Sequence, residues 1–147
     1  MAMALAILLS VVLFAVSTSV HYATLCSVSS VLSRMPPRPH LGLTIAMMAI
    51  ALAHVVEATL YAVGFWLGDT ALGLGSFKSE SELDWMDHFY FSLVNFTTLG
   101  RGDLTPTGHL RFMAGIEALQ GFLLITASGS FLFQVMRGSV PLSRRRP

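Results

Sequence analysis

Three long apolar stretches separated by short polar ones organise the chain. Residues 1–33 contain no Asp, Glu, Lys or Arg, residues 41–68 contain only Glu57, and residues 112–136 contain only Glu117. Each exceeds the roughly 20 residues a helix needs to cross a bilayer, so the pattern predicts spanning helices over about 3–33, 41–67 and 109–137. At ~1.5 Å per residue the first would be about 46 Å long against a ~30 Å hydrocarbon core, which requires tilt or protrusion. No basic residue precedes this first stretch, and its uncharged length is about twice that of a signal-peptide core, which argues for a span. Between the first two helices, Arg34-Met-Pro-Pro-Arg-Pro-His40 holds three prolines that lack amide donors and restrict the residues before them; segment 34–40 is a stiff turn. Residues 68–86 begin with Gly68, Gly73 and Gly75 and read as a loop on the other side, with Trp66 and Trp85 near the interface. A shorter apolar segment, 87–98, predicts about three turns of helix starting at Asp87. It is too short to cross and must enter and return on one side.

Composition sharpens this picture. The 147 residues are 54% hydrophobic and 12% charged, with a mean hydropathy of +0.68, whereas soluble domains carry about 25% charged residues. An ordinary soluble domain is excluded, and the expected partner is the lipid bilayer rather than nucleic acid. Arg34, Arg38, Arg137, Arg144, Arg145 and Arg146 fall at two ends that three alternating spans place on one side. The positive-inside rule makes that side cytoplasmic. The expected topology is a multi-pass protein of the cell (inner) membrane with its N-terminus outside and its C-terminus in the cytoplasm, where the basic tail 138–147 could attract anionic lipid through Arg144, Arg145 and Arg146. Asp69, Glu80, Glu82, Asp84 and Asp87 gather in the external loop. The single cysteine, Cys26, lies within the first span and excludes an intrachain disulfide.

The return limb Thr97-Thr98-Leu99-Gly100-Arg101-Gly102-Asp103 alternates glycine with larger residues. Glycine at 100 and 102 opens backbone conformations closed to other residues, so that successive carbonyls can point the same way. Non-helical backbone at membrane depth is tolerated only inside protein or beside a polar cavity. The economical physical reading is a re-entrant loop whose carbonyls replace the water around a dehydrated cation.

The string Tyr90-Phe-Ser-Leu-Val-Asn-Phe-Thr-Thr-Leu-Gly-Arg-Gly-Asp-Leu-Thr-Pro106 resembles the pore helix and selectivity filter of potassium channels, whose signature is Thr-Thr-Val/Leu-Gly-Tyr-Gly-Asp after aromatic residues. The wider stretch, about 50–137, is similar to the small bacterial members of that pore-loop family. The resemblance implies an all-α membrane fold: three transmembrane helices, a re-entrant pore helix and a filter loop over 97–103. The pore domain would be 41–137, preceded by the first helix, 1–33. Thr98, Leu99, Gly100, Arg101 and Gly102 would form the filter and hold K+ or another monovalent cation, with no organic cofactor. Thr97, Asp103, Tyr90 and Phe91 would support it. One filter strand per chain implies a homotetramer around one axis.

Arg101 departs from the family, which has tyrosine at this position. Packed behind the filter, its guanidinium could lie against Tyr90 or Phe91 and pair with Asp103 or Asp87. Facing the axis, four such charges at about 6 Å from an ion would each cost on the order of 3 kcal/mol at an effective dielectric near 20. A filter remodelled into a non-conducting state and an arginine that gates or reads anions are further readings.

Polar groups inside the spans are the remaining candidates. His54, Glu57 and Tyr61 share a face of the second helix and, with Glu117, are polar groups in hydrocarbon that flag function. They read as an interhelical network with Ser17, Thr18, Ser19 or His21, as a proton sensor, or as a metal site. Gly121 and Gly129 are candidates for gating hinges or packing points. No nucleophile stands in a recognisable motif, so an enzyme is not expected. Two readings of function follow: a channel for K+ or other cations, and a non-conducting channel-fold subunit with a structural or regulatory role.

Overall fold

The computed structural model describes residues 1–36, 38–79, 83–100, 104–138 and 142. Among them stand helices α1 (Ala2–Leu32), α2 (Pro39–Thr70), α3 (Trp85–Phe96) and α4 (Leu110–Met136), with two short strands, β1 (Phe77–Lys78) and β2 (Thr105–Pro106). Helices α1, α2 and α4 are long and apolar enough to cross a membrane. Helix α3 is the short re-entrant one, and the all-α, three-span architecture expected from the hydropathy pattern is the architecture found.

Local chemistry sets the helix boundaries. Pro39 is the first residue of α2, where its missing amide is no loss because first-turn amides have no intrahelical partner; α2 therefore begins inside the proline turn. Helix α3 begins at Trp85, two residues before the start expected at Asp87. Asp84 is the N-cap: its side chain accepts from the Asp87 amide at 3.0 Å while the Asp87 carboxylate accepts from the Asp84 amide at 2.9 Å. This reciprocal pair satisfies two amides that the helix leaves free.

The two-stranded pairing of β1 with β2 was not expected from sequence. Phe77 faces Pro106 and Lys78 faces Thr105 in antiparallel register, so the segments before and after the re-entrant loop are fastened together. Glycines allow the approach. A Cβ on Gly75 would meet the Thr107 carbonyl oxygen at 2.3 Å, and one on Gly108 would meet that of Leu74 at 2.7 Å.

Three layers follow along the helices. On the pore-loop side, Ala6, Leu13, Tyr61, Phe65, Leu74, Phe77, Leu110 and Met113 form an apolar core. At the opposite end Leu25, Val28, Ala46, Ile50, Phe131 and Val135 form a second. The buried positions of α1, among them Ala6, Ser10, Leu13, Ser17, His21, Leu25 and Val28, recur every three or four residues, the spacing of one helical face. Between the two cores lies a polar layer drawn from every helix.

Candidate functional site

Helix α3 is held by buried side chains at its inner end. Ser92 and Asn95 lie three residues apart on the face turned to α4. The Asn95 amide donates to the Ala114 carbonyl at 2.9 Å and to the Glu117 carboxyl, and Ser92 Oγ lies within hydrogen-bonding distance of both Glu117 and the Ala58 carbonyl. Glu117 and Ser92 are fully buried. Gly121, one turn further along α4, brings the backbones together: a Cβ there would meet the Phe96 carbonyl oxygen at 2.0 Å. Gly121 is thus a seat for the end of α3, whereas a Cβ on Gly129 meets nothing within 4 Å.

The outer end of α3 is fixed separately. His88 Nδ1 donates to the Asp84 carbonyl at 2.8 Å, and its Nε2 lies 3.2 Å from Asp69 Oδ2 at the end of α2. Phe91 packs edge-on against Phe65 and Phe77, with ring centroids 5.1 and 4.8 Å apart. It therefore braces α3 against α2 and β1. Tyr90, beside it, is half-buried.

Helix α3 ends at Phe96 and the chain reverses at once. The Thr98 amide donates to Asn95 O at 2.9 Å and the Leu99 amide to Val94 O at 3.1 Å, while Thr98 itself has φ 59°. These are the two bonds and the left-handed residue of a Schellman cap, a position usually filled by glycine. A β-branched residue there is strained by roughly 1–2 kcal/mol, and strain of this kind concentrates at functional sites. Gly100 follows with φ 54°, so alternate residues adopt left-handed backbone. Thr97 Oγ1 donates back to Leu93 O or Val94 O, both at 3.1 Å. Thr98, Leu99 and Gly100 are exposed in the single chain, Leu99 by 74%. Arg101, Gly102 and Asp103, the remaining residues of the sequence motif, lie outside the described residues, as do Arg144, Arg145 and Arg146.

Two further parts of the polar layer join α1 to this assembly. Gln120 accepts from the Tyr61 hydroxyl at 2.6 Å and donates to Phe14 O at 2.8 Å and Thr18 Oγ1 at 3.0 Å, so one amide links α1, α2 and α4. Glu57, fully buried, accepts from His21 Nδ1 at 3.0 Å and from His54 Nδ1 at 2.9 Å. His54 and Glu57 are thus part of an interhelical network, with His21 as the α1 partner. Sequence reasoning missed Ser92, Asn95 and Gln120, and also Ser128 of α4, whose Oγ lies 3.3 Å from His21 Nε2 and 3.2 Å from His54 Nε2. The signal available was polarity at helical spacing within apolar runs: Ser92 with Asn95, and Glu117 with Gln120.

Known proteins bear on this geometry in three ways. The ion channel family matches residues 44–138, which takes in most of α2, all of α3, the re-entrant segment and α4, and leaves α1 outside. An uncharacterised membrane protein of Bacillus subtilis (strain 168), YdjJ, is 42% identical over 60 residues, which is 40% of this chain and 18% of that protein; the chain therefore spans under a fifth of its relative's length. No solved structure matches. With the channel match covering most of the chain, a short re-entrant helix wedged between two spanning helices, and a reversal at Thr97–Gly100, this multi-pass membrane protein belongs to the ion channel family.

Proposed function

We propose that the protein conducts K+, or monovalent cations with altered selectivity, through a four-fold filter built from Thr98, Leu99, Gly100, Arg101 and Gly102 of four identical chains. The observation that carries this reading is the doubly fixed α3: Ser92, Asn95 and Gly121 at one end, and Asp69, Asp84 and His88 at the other, present Thr97–Gly100 in one orientation. A filter works by replacing an ion's hydration shell with carbonyls at fixed positions, and a rigid support is what that substitution requires. The exposed apolar residues support an assembly in a bilayer. Leu99, Leu119, Phe122, Ile125 and Phe133 face outward in the single chain, and a second copy or lipid would cover them. The N-terminus is outside and the C-terminus cytoplasmic in this reading, with Arg34, Arg38 and Arg137 on the cytoplasmic side.

Reconstitution of the full chain in liposomes tests the proposal. Cross-linking in membranes should stop at four copies, and a K+ gradient should drive flux. Thr98→Ala should weaken the innermost ion site and alter selectivity without disturbing assembly. A predominant dimer or trimer would remove the shared filter. A correctly assembled tetramer that passes no cation would favour the non-conducting subunit.

A further inference from the structure

The cluster around Glu57 contains none of the residues assigned to the filter or to the support of α3. Its two carboxylate oxygens each face one imidazole Nδ1, at 3.0 Å for His21 and 2.9 Å for His54. The far nitrogens of both rings converge on one hydroxyl: Ser128 Oγ is 3.3 Å from His21 Nε2 and 3.2 Å from His54 Nε2. The rings are stacked, with centroids 5.3 Å apart and planes 21° from parallel. One donor atom from each of His21, His54 and Glu57 lies within 4.8 Å of the others.

With both imidazoles neutral and both Nδ1–H groups turned to Glu57, the two Nε2 atoms face a single serine proton. One added proton, giving an imidazolium beside the Glu57 carboxylate, pairs every atom. A cation in place of the two Nδ1 protons does so as well: both Nε2 atoms then carry hydrogens, and the two lone pairs of Ser128 Oγ accept both. Metal-bound histidines characteristically donate their other N–H in this way, which fixes ring orientation.

We propose that His21 Nδ1, His54 Nδ1 and the Glu57 carboxylate bind a first-row divalent cation of the zinc class, with Ser128 orienting both rings. Two imidazoles and one carboxylate suit zinc, cobalt or nickel, whereas magnesium, calcium and potassium prefer oxygen ligands. Three protein ligands leave a fourth position open. The His54 side chain is 19% exposed in the single chain, while Glu57 is fully buried. The bound ion clamps α1, which lies outside the channel match, to α2. Through Ser128 the same site reaches α4, and the His54 ring stands 5.5 Å from that of Phe96 at the end of α3. Loading therefore acts on the helices that frame the pore loop.

The experiment uses the full chain, freed of any affinity tag, in nanodiscs after chelator treatment. Co2+ titration should produce the visible absorption bands of a four-coordinate site, and Zn2+ should be retained at about one ion per chain, with metal–nitrogen distances of about 2.0–2.1 Å by X-ray absorption. His21→Asn and His54→Asn should each abolish retention, and Ser128→Ala, which leaves every ligand in place, should weaken binding by about 10–100-fold. The wild-type spectrum needs no variant to fold: absence of the cobalt bands from assembled protein would overturn the site. Retention undiminished in an assembled His21→Asn protein would place the ion elsewhere and also overturn it. A cluster that binds no metal, while flux depends on pH through His21 and His54, would be a proton site instead.

Discussion

Gly121→Ala tests the seat of α3 most directly. The added Cβ would lie 2.0 Å from the Phe96 carbonyl oxygen, 2.8 Å from its carbon and 3.1 Å from its Cα. Carbon–oxygen contacts settle at about 3.3–3.6 Å, so the end of α3 must retreat from α4 by more than about 1 Å. Both partners are backbone, so no rotamer change relieves the contact. Overpacking of this kind costs about 1–3 kcal/mol, while the helix propensity of alanine over glycine returns up to about 1 kcal/mol. Gly129→Ala receives the same propensity gain with nothing within 4 Å of the new methyl group. The propensity terms cancel between the two variants, and Gly121→Ala should be less stable than Gly129→Ala by about 1–3 kcal/mol. Reversible unfolding in mixed micelles measures that difference. Cation permeability ratios in liposomes report the second consequence, because Thr97–Gly100 is attached directly to the displaced turn and should lose selectivity only in Gly121→Ala. Equal stability of the two variants, with unchanged permeability ratios, would refute the close contact and the role assigned to it.

Asp84→Ala removes the acceptor of the 3.0 Å bond from the Asp87 amide; it should cost about 0.5–2 kcal/mol and speed hydrogen exchange in the first turn of α3. Tyr61→Phe leaves the buried Gln120 oxygen without its 2.6 Å partner and should destabilise the fold by about 1–3 kcal/mol in the same unfolding assay. Arg101→Tyr restores the potassium-channel string and removes four positive charges from a tetramer; K+ flux normalised to assembled protein should rise, and an arginine cost of about 1.4 kcal/mol on ion occupancy would be tenfold in site affinity. Equal or lower flux would show that Arg101 is not the limiting feature.

The sequence by itself determined the three spans and the short re-entrant helix. Those rest on local quantities: hydrophobic length against bilayer thickness, and proline against helix. Even so, the start of α3 was misplaced by two residues, because Asp84 and Asp87 are both capable caps and only the reciprocal pairing distinguishes them. The candidate site was legible in part. Glu57 and Glu117 were conspicuous as acids within apolar runs, since burying a charge requires a partner, but their partners were not. Residues separated by 25 or 107 positions, as Ser92 is from Glu117 and Ser128 from His21, meet only when helices pack at a particular rotation. Hydropathy registers a serine or glutamine in an apolar helix as a small interruption and says nothing of what it faces. Gly121 and Gly129 look alike in sequence, and only the carbonyl of Phe96 lying against one of them makes it a seat. Tertiary structure decided these pairings because hydrogen bonds and backbone contacts depend on tenths of an ångström between elements, whereas spans depend on sums along one element.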